Sequence, residues 1–298
     1  MKSLLRGFAF GALCIAPVAT YAQDAAVVVE EKTVVVEEPA GPNAGSLALT
    51  GGLDFTTAYF FRGYLQEDQG LIAQPYLNLY FDISDSEANP ITGYVGMWNS
   101  FHEEKTGADD GSFGAWYESD LYAGVDAGLG GGFTLGAIYT IYTYPNGAFD
   151  SIEEIGFKLS YDDTDKWGLP FALRPYAAVY FETKDNNGSE DTYLEIGIAP
   201  TVYTFNEEGD APIAIAVPVT VGMSLDDYYF DDSGDDEFLG YFSVGVAASM
   251  PLPIPSSYGA WSLNGSVTWL QLLADGLETA NNDDSTEIIG KLGVSFAY

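Results

Sequence analysis

At 298 residues the chain is long enough for one large all-β unit or two ordinary domains, and its 34 Gly, 21 Tyr, 18 Phe and 5 Trp favour strands and tight turns over helices. A formal net charge of −34 argues against a nucleic-acid binder, since there is little basic surface to neutralise phosphates. An apolar fraction of 47% argues equally against a disordered acidic tail.

The first segment, 1–22, has the pattern of a secretory signal peptide. Lys2 and Arg6 form a basic start, 8–19 is apolar, and Thr20-Tyr21-Ala22 offers a small-residue cleavage site. The apolar stretch is short for a membrane-spanning helix. Cys14 is the only cysteine, and bulky Leu13 before it makes a poor lipoprotein box. Cleavage after Ala22 leaves a mature chain with neither disulfide nor thiolate chemistry. Residues 23–45 then read as an extended periplasmic leader. The run Val-Val-Val-Glu-Glu occurs at 27–31 and again at 34–38, and Pro39, Gly41 and Pro42 close it.

From 46 to 298 the apolar residues recur with a period of two, and no run is long enough for a transmembrane helix. Strands are expected at 46–62, 71–83, 91–102, 115–129, 133–144, 152–161, 171–183, 191–205, 212–226, 238–250, 260–273 and 286–298, about twelve in all. In 74–83, Leu77, Leu79, Phe81 and Ile83 oppose Gln74, Tyr76, Asn78, Tyr80 and Asp82. In 117–129, Leu121, Ala123, Val125 and Leu129 oppose Glu118, Asp120, Gly124 and Asp126. In 261–269 a Trp stands at each end of the apolar parity, as in the aromatic girdles at membrane interfaces. At the C-terminus Leu292, Val294, Phe296 and Tyr298 share one parity against Lys291, Gly293, Ser295 and Ala297. That aromatic final strand fits the signal read by the barrel-assembly machinery. Connectors alternate between Gly/Pro-marked turns at 130–132, 167–170 and 251–259 and acidic loops at 103–111, 185–191, 226–237 and 275–284. The polar parity is mostly small residues and Tyr, unlike the water-facing side of a β-sandwich. The expectation is a transmembrane antiparallel up-and-down β-barrel over 46–298, in the outer membrane of a Gram-negative bacterium.

The segment Leu53-Asp54-Phe55-Thr56-Thr57-Ala58-Tyr59-Phe60-Phe61-Arg62-Gly63-Tyr64-Leu65-Gln66 resembles the opening of the TorF-type porin family, where a strand runs into a Tyr-x-Phe-Arg-Gly-x-x-Gln turn. Overall length, Gly/Tyr-rich strands and the aromatic C-terminus extend the resemblance. It implies an outer-membrane barrel that acts as a pore.

Parity places Arg62, Lys158, Arg174 and Lys291, with Asp82, Glu118, Asp120, Asp126, Glu154 and Glu195, in the lumen or at its rim. Such charges either brace the interior as ion pairs or select solutes by charge. Acids outnumber bases, so the expected passive pore for small polar solutes prefers cations. Tyr76, Tyr80, Tyr122, Tyr142, Tyr176, Tyr180, Tyr193 and Tyr203 are also expected inside, where they could close the channel. A non-conducting barrel that contacts lipopolysaccharide or an external partner is the alternative. The acidic loops read as solvated and self-repelling, since 231–235 lacks EF-hand spacing; divalent bridging to lipopolysaccharide is a weaker variant. His102 is the single histidine, beside Glu103 and Glu104, with no nucleophile motif. No enzyme activity, cofactor or metal is expected. The expected partners are outer-membrane lipid, lipopolysaccharide, the assembly machinery and small solutes, with oligomeric state open.

Overall fold

The computed structural model describes residues 47–298 apart from 85, 87–88, 108–113, 185–190 and 208–210. The expected signal peptide and leader, and parts of the acidic connectors at 103–111 and 185–191, lie outside the described residues.

The strands are β1 (Leu47–Thr56), β2 (Tyr59–Phe61), β3 (Tyr64–Glu67), β4 (Ile72–Ser84), β5 (Ile91–His102), β6 (Trp116–Gly130), β7 (Phe133–Thr143) and β8 (Ile152–Tyr161). They continue with β9 (Tyr176–Lys184), β10 (Thr192–Ile198), β11 (Thr201–Phe205), β12 (Ile213–Ala216), β13 (Val219–Asp226), β14 (Leu239–Pro251), β15 (Ala260–Leu272) and β16 (Thr286–Ala297). One short helix, α1 (Asp275–Ala280), precedes the last strand.

All except β2 and β3 belong to one antiparallel sheet in which sequence neighbours pair, and β1 bonds both β4 and β16. The ring therefore closes. A proline interrupts the ladder twice, at Pro200 between β10 and β11 and at Pro218 between β12 and β13, because proline has no N–H to donate. The Val217 N–H donates to the Pro200 carbonyl at 3.0 Å and the Gly245 N–H to that of Pro218 at 2.9 Å, so each interrupted pair continues as one span. Counted that way the barrel has twelve spans. This is the up-and-down architecture expected from the alternation. Closure leaves no open sheet edge, which is what a backbone surrounded by hydrocarbon requires.

The two faces of the wall differ as the parity demands. Leu121 is 54% exposed to the exterior while Tyr122 beside it is 4% exposed. Leu77, Phe157, Phe181, Val267 and Leu292 likewise stand exposed on the outside, and Leu292 belongs to the C-terminal parity of Val294, Phe296 and Tyr298. An apolar belt of this extent on a closed barrel is a surface for lipid.

Inside, tyrosines lie over glycines on the neighbouring strand. Gly156 pairs in register with Tyr180, and Gly197 with Tyr176. A Cβ on either glycine would come within 2.6 Å of the facing tyrosine side chain. Gly96 with Tyr122 and Gly124 with Tyr94 repeat the arrangement. The abundant Gly and Tyr thus serve one purpose: a missing Cβ lets a ring lie against the wall.

Three expectations are corrected. The first strand stops at Thr56 rather than 62, and 57–71 folds away from the wall. The strand expected at 171–183 begins at Tyr176, because the Asp163 carboxylate accepts the N–H groups of Leu173 and Arg174 at 3.0 and 2.8 Å and Pro175 has none to give. Arg174, with φ +51°, is therefore a half-buried residue of the β8–β9 connector, not a strand residue facing the lumen. Tyr203 points outward, 58% exposed, because a bulge between Thr201 and Tyr203 reverses the parity expected for it.

Candidate functional site: a plugged lumen

Spans alternate in direction, so the barrel has two unlike ends. Leu49 and Tyr298 exchange backbone hydrogen bonds of 2.8 Å near the termini. At the opposite end are the connector 57–71, the loop between β13 and β14, and α1.

After Thr56 the chain turns into the barrel as the hairpin β2–β3. Phe61 pairs with Tyr64, leaving Arg62 and Gly63 as a two-residue turn with φ of +44° and +89°. Two successive positive φ values define a type I′ turn, natural for Gly63 but unfavourable by about 1 kcal/mol for Arg62. The surrounding contacts hold it there. Arg62 Nη1 and Nη2 donate to Glu154 Oε2 and Oε1 at 3.0 and 3.1 Å, a forked pair with both side chains buried. The Arg62 Cζ lies 4.0 Å from the Tyr193 ring centroid and 4.3 Å from that of Tyr180, with Phe61 at 5.1 Å and Tyr228 at 5.4 Å. Tyr229 Oη donates to the Arg62 carbonyl at 2.8 Å. Burial opposes the guanidinium charge, but Glu154 and the nearby phenols hold its pKa well above the ordinary value. Burial pushes the Tyr64 and Tyr228 hydroxyls up, so both stay neutral: Tyr64 Oη donates to the Tyr228 carbonyl at 3.0 Å and Tyr228 Oη accepts from Arg62 Nη1 at 3.3 Å.

Every residue of Tyr-x-Phe-Arg-Gly-x-x-Gln has a place in this plug. Tyr59 Oη donates to Glu118 Oε2 at 2.9 Å, and Phe61 is buried. A Cβ on Gly63 would come 2.7 Å from Leu277 of α1. Gln66 Oε1 accepts from Tyr117 Oη at 2.5 Å. Glu67 continues the attachment: Thr106 Oγ1 donates to it at 2.5 Å, His102 Nδ1 lies 2.6 Å from Thr106 Oγ1, and Ser100 Oγ lies 2.8 Å from His102 Nε2. Thr106 donates to Glu67, so its oxygen accepts from His102 Nδ1–H, leaving Nε2 to accept from Ser100.

The remaining lumen has two characters. Glu118 and Asp120 on β6, Glu154 on β8 and Glu182 on β9 are all buried, and Glu154 faces Glu182 directly across the ladder. Buried bases are fewer: Arg62 comes from the hairpin, and Lys158 Nζ sits 4.5 Å over the Tyr176 ring. Glu195, half-buried, accepts from Tyr176 and Tyr193 at 2.7 and 2.8 Å. Against the opposite wall lies a cavity of about 390 Å³ lined by small residues of β14, β15 and β16 together with Asp54, Gln74, Tyr76 and Lys291. Lys291 Nζ is 3.8 Å from Asp54 Oδ2, and the buried Gln74 Nε2 has no hydrogen-bond partner. Asp82 and Asp126 pair in register with Thr92 from its two sides, far from the hairpin, with Asp82 exposed and Asp126 half-buried. The structure thus groups Arg62, Glu118, Asp120, Glu154 and Lys158 around the plugged side and leaves Asp82, Asp126 and Arg174 apart. Alternation sets Glu182 on the same face as Tyr180 without marking it as a lining charge, and it gives no sign of Tyr59, Gln66, Tyr228 and Tyr229, which act only once the hairpin and loop fold inward. Among the described residues no cluster of His, Cys, Asp and Glu could hold a metal ion.

A closed antiparallel barrel with an apolar exterior and a polar, plugged interior is a transmembrane β-barrel. No family model and no curated relative matches the chain. Similar folds occur among solved structures: an outer membrane channel from Pseudomonas putida F1 (10% identity, TM-score 0.46, 84% of this chain and 95% of that one), LpxR from Salmonella typhimurium (9%, 0.43, 84% and 99%) and the NanC porin (12%, 0.41, 84% and 98%).

Proposed function

We propose that the protein is an exported outer-membrane channel for small polar solutes, cation-preferring, that rests closed with the β2–β3 hairpin as its gate. The observation that carries this reading is the uneven placement of charge. Four buried acids, Glu118, Asp120, Glu154 and Glu182, belong to the fixed wall against one buried lysine there, Lys158, whereas Arg62, which neutralises Glu154, belongs to the inserted hairpin together with Glu67. Withdrawing the hairpin leaves Glu118, Asp120, Glu154 and Glu182 facing water, a lining that attracts cations. The resemblance of 53–66 to the opening of TorF-type porins supports the same reading, and the barrel then contacts lipid and lipopolysaccharide on its outside. The Ser100–His102 pair is an anchor in this reading, because both residues are fully buried and the cavity does not reach them.

Thr56 and Ile72 are direct cross-strand partners, so an Asn-Gly turn can replace 57–71 and keep that pair, with loss only of the bonds of Thr57 to Gly290 and of Leu71 to Glu103 at the rim. In planar bilayers this variant should conduct several-fold more than the native protein, with a reversal potential in a KCl gradient that favours potassium. A variant that stays closed, or favours chloride, defeats the proposal. A second reading, a non-conducting barrel, has its own support in the tyrosine-filled side of the lumen, and a closed bilayer with the hairpin removed would select it.

A further inference from the structure

We propose that the cage around Arg62, formed by Glu154, Tyr180, Tyr193 and Tyr228, is a binding site for small guanidinium-bearing cations, and that Arg62 is its tethered occupant. The inference builds on the gate reading and supplies the ligand class for the same lumen. Three features set this class apart from a simple metal cation. Glu154 presents both carboxylate oxygens to a planar fork, at 3.0 and 3.1 Å. Two tyrosine faces lie close to the guanidinium carbon, at 4.0 and 4.3 Å, where a weakly hydrated planar cation gains and a hard, strongly hydrated one does not. Tyr228 supplies an oxygen 3.3 Å from Arg62 Nη1. Glu154, Tyr180 and Tyr193 stand on spanning strands, and only Tyr228 comes from a loop, so most of the cage remains when the hairpin leaves. The Arg62 backbone sits at φ +44°, outside its preferred region, so the contacts of the guanidinium and not the local chain hold it in place.

The test uses the refolded chain in detergent micelles. Arg62→Ala removes two methylenes and the guanidinium group, and N-ethylguanidinium replaces those atoms one for one. Its addition should raise the unfolding temperature of Arg62→Ala with the logarithm of its concentration, by about 4 °C at ten times the dissociation constant. The native protein, whose cage is filled, should not respond. Neither should Arg62→Ala combined with Glu154→Gln, nor Arg62→Ala given neutral N-ethylurea. Absence of a shift, or an equal shift in any of these controls, overturns the proposal. If Arg62→Ala refolds only when N-ethylguanidinium is present, the site is supported directly. If it does not refold at all, Arg62→Gln preserves the packing, and N-ethylguanidinium must then displace the neutral side chain and give a smaller shift; no shift there overturns the proposal. Bilayer recordings separate this from the gate. A thermal shift in a protein whose hairpin deletion stays closed keeps the cage and removes the gate, whereas conduction by that deletion without a thermal shift does the reverse.

Discussion

The two sides of the lumen make the most informative comparison in this molecule. On the wall from β6 to β10, tyrosines lie over glycines and carboxylates are buried against the hairpin, leaving little space. On the wall of β14, β15, β16 and β1 most inward positions are small, among them Ser243, Ser249, Asn264, Ser266 and Ser295, and a cavity remains between them and the hairpin residues Ala58, Phe60 and Gly63. Both walls share the same exterior and the same ladder. Interior side-chain volume thus separates the side packed against the hairpin from the side where a cavity remains between hairpin and wall.

Three substitutions sharpen or break that comparison. The largest effect belongs to Glu154→Ala, which leaves the buried Arg62 guanidinium without its carboxylate. We expect a loss of about 3–5 kcal/mol in detergent unfolding. A loss below about 1 kcal/mol would mean that the pair is hydrated and the plug loosely held. The next is Gly156→Ala. Its methyl would meet Tyr180 at 2.6 Å and Ile138 Cγ2 at 3.0 Å, so the ring must move, at a cost of about 1–3 kcal/mol by the same measurement. The smallest is Gly265→Ala on β15, whose new methyl points outward beside Leu292 Cδ1 at 3.7 Å, with the Lys291 carbonyl oxygen nearest at 3.6 Å. That change should stay within about 0.5 kcal/mol of the native protein. An effect at 156 as small as that at 265 would mean that the Tyr180 ring does not lie tightly over its glycine.

How far the site was legible follows from the range of the interactions. Glu118, Asp120, Glu154 and Lys158 lie on long regular strands, and period-two counting places each on the inner face. Counting fails at Tyr203, where a bulge adds a residue, and at Arg174, where Asp163 captures two backbone N–H groups before the strand begins. Both disturbances come from contacts that no local pattern records. The hairpin is the instructive failure. Tyr59-Phe60-Phe61 continues the apolar run of the first strand, so alternation extends that strand to 62, while the Arg62-Gly63 turn becomes recognisable only when positive φ values are known.

Sequence alone determined the antiparallel barrel and the face to which most strand residues belong. Alternation repeats in every span, and each repeat reports the same physical demand, apolar atoms toward lipid and polar atoms away from it. Only the tertiary structure decided that a hairpin folds into the lumen. Arg62 meets Glu154 across 92 positions and Tyr228 across 166, so the plug depends on pairings between residues that the chain brings together only when the ring closes.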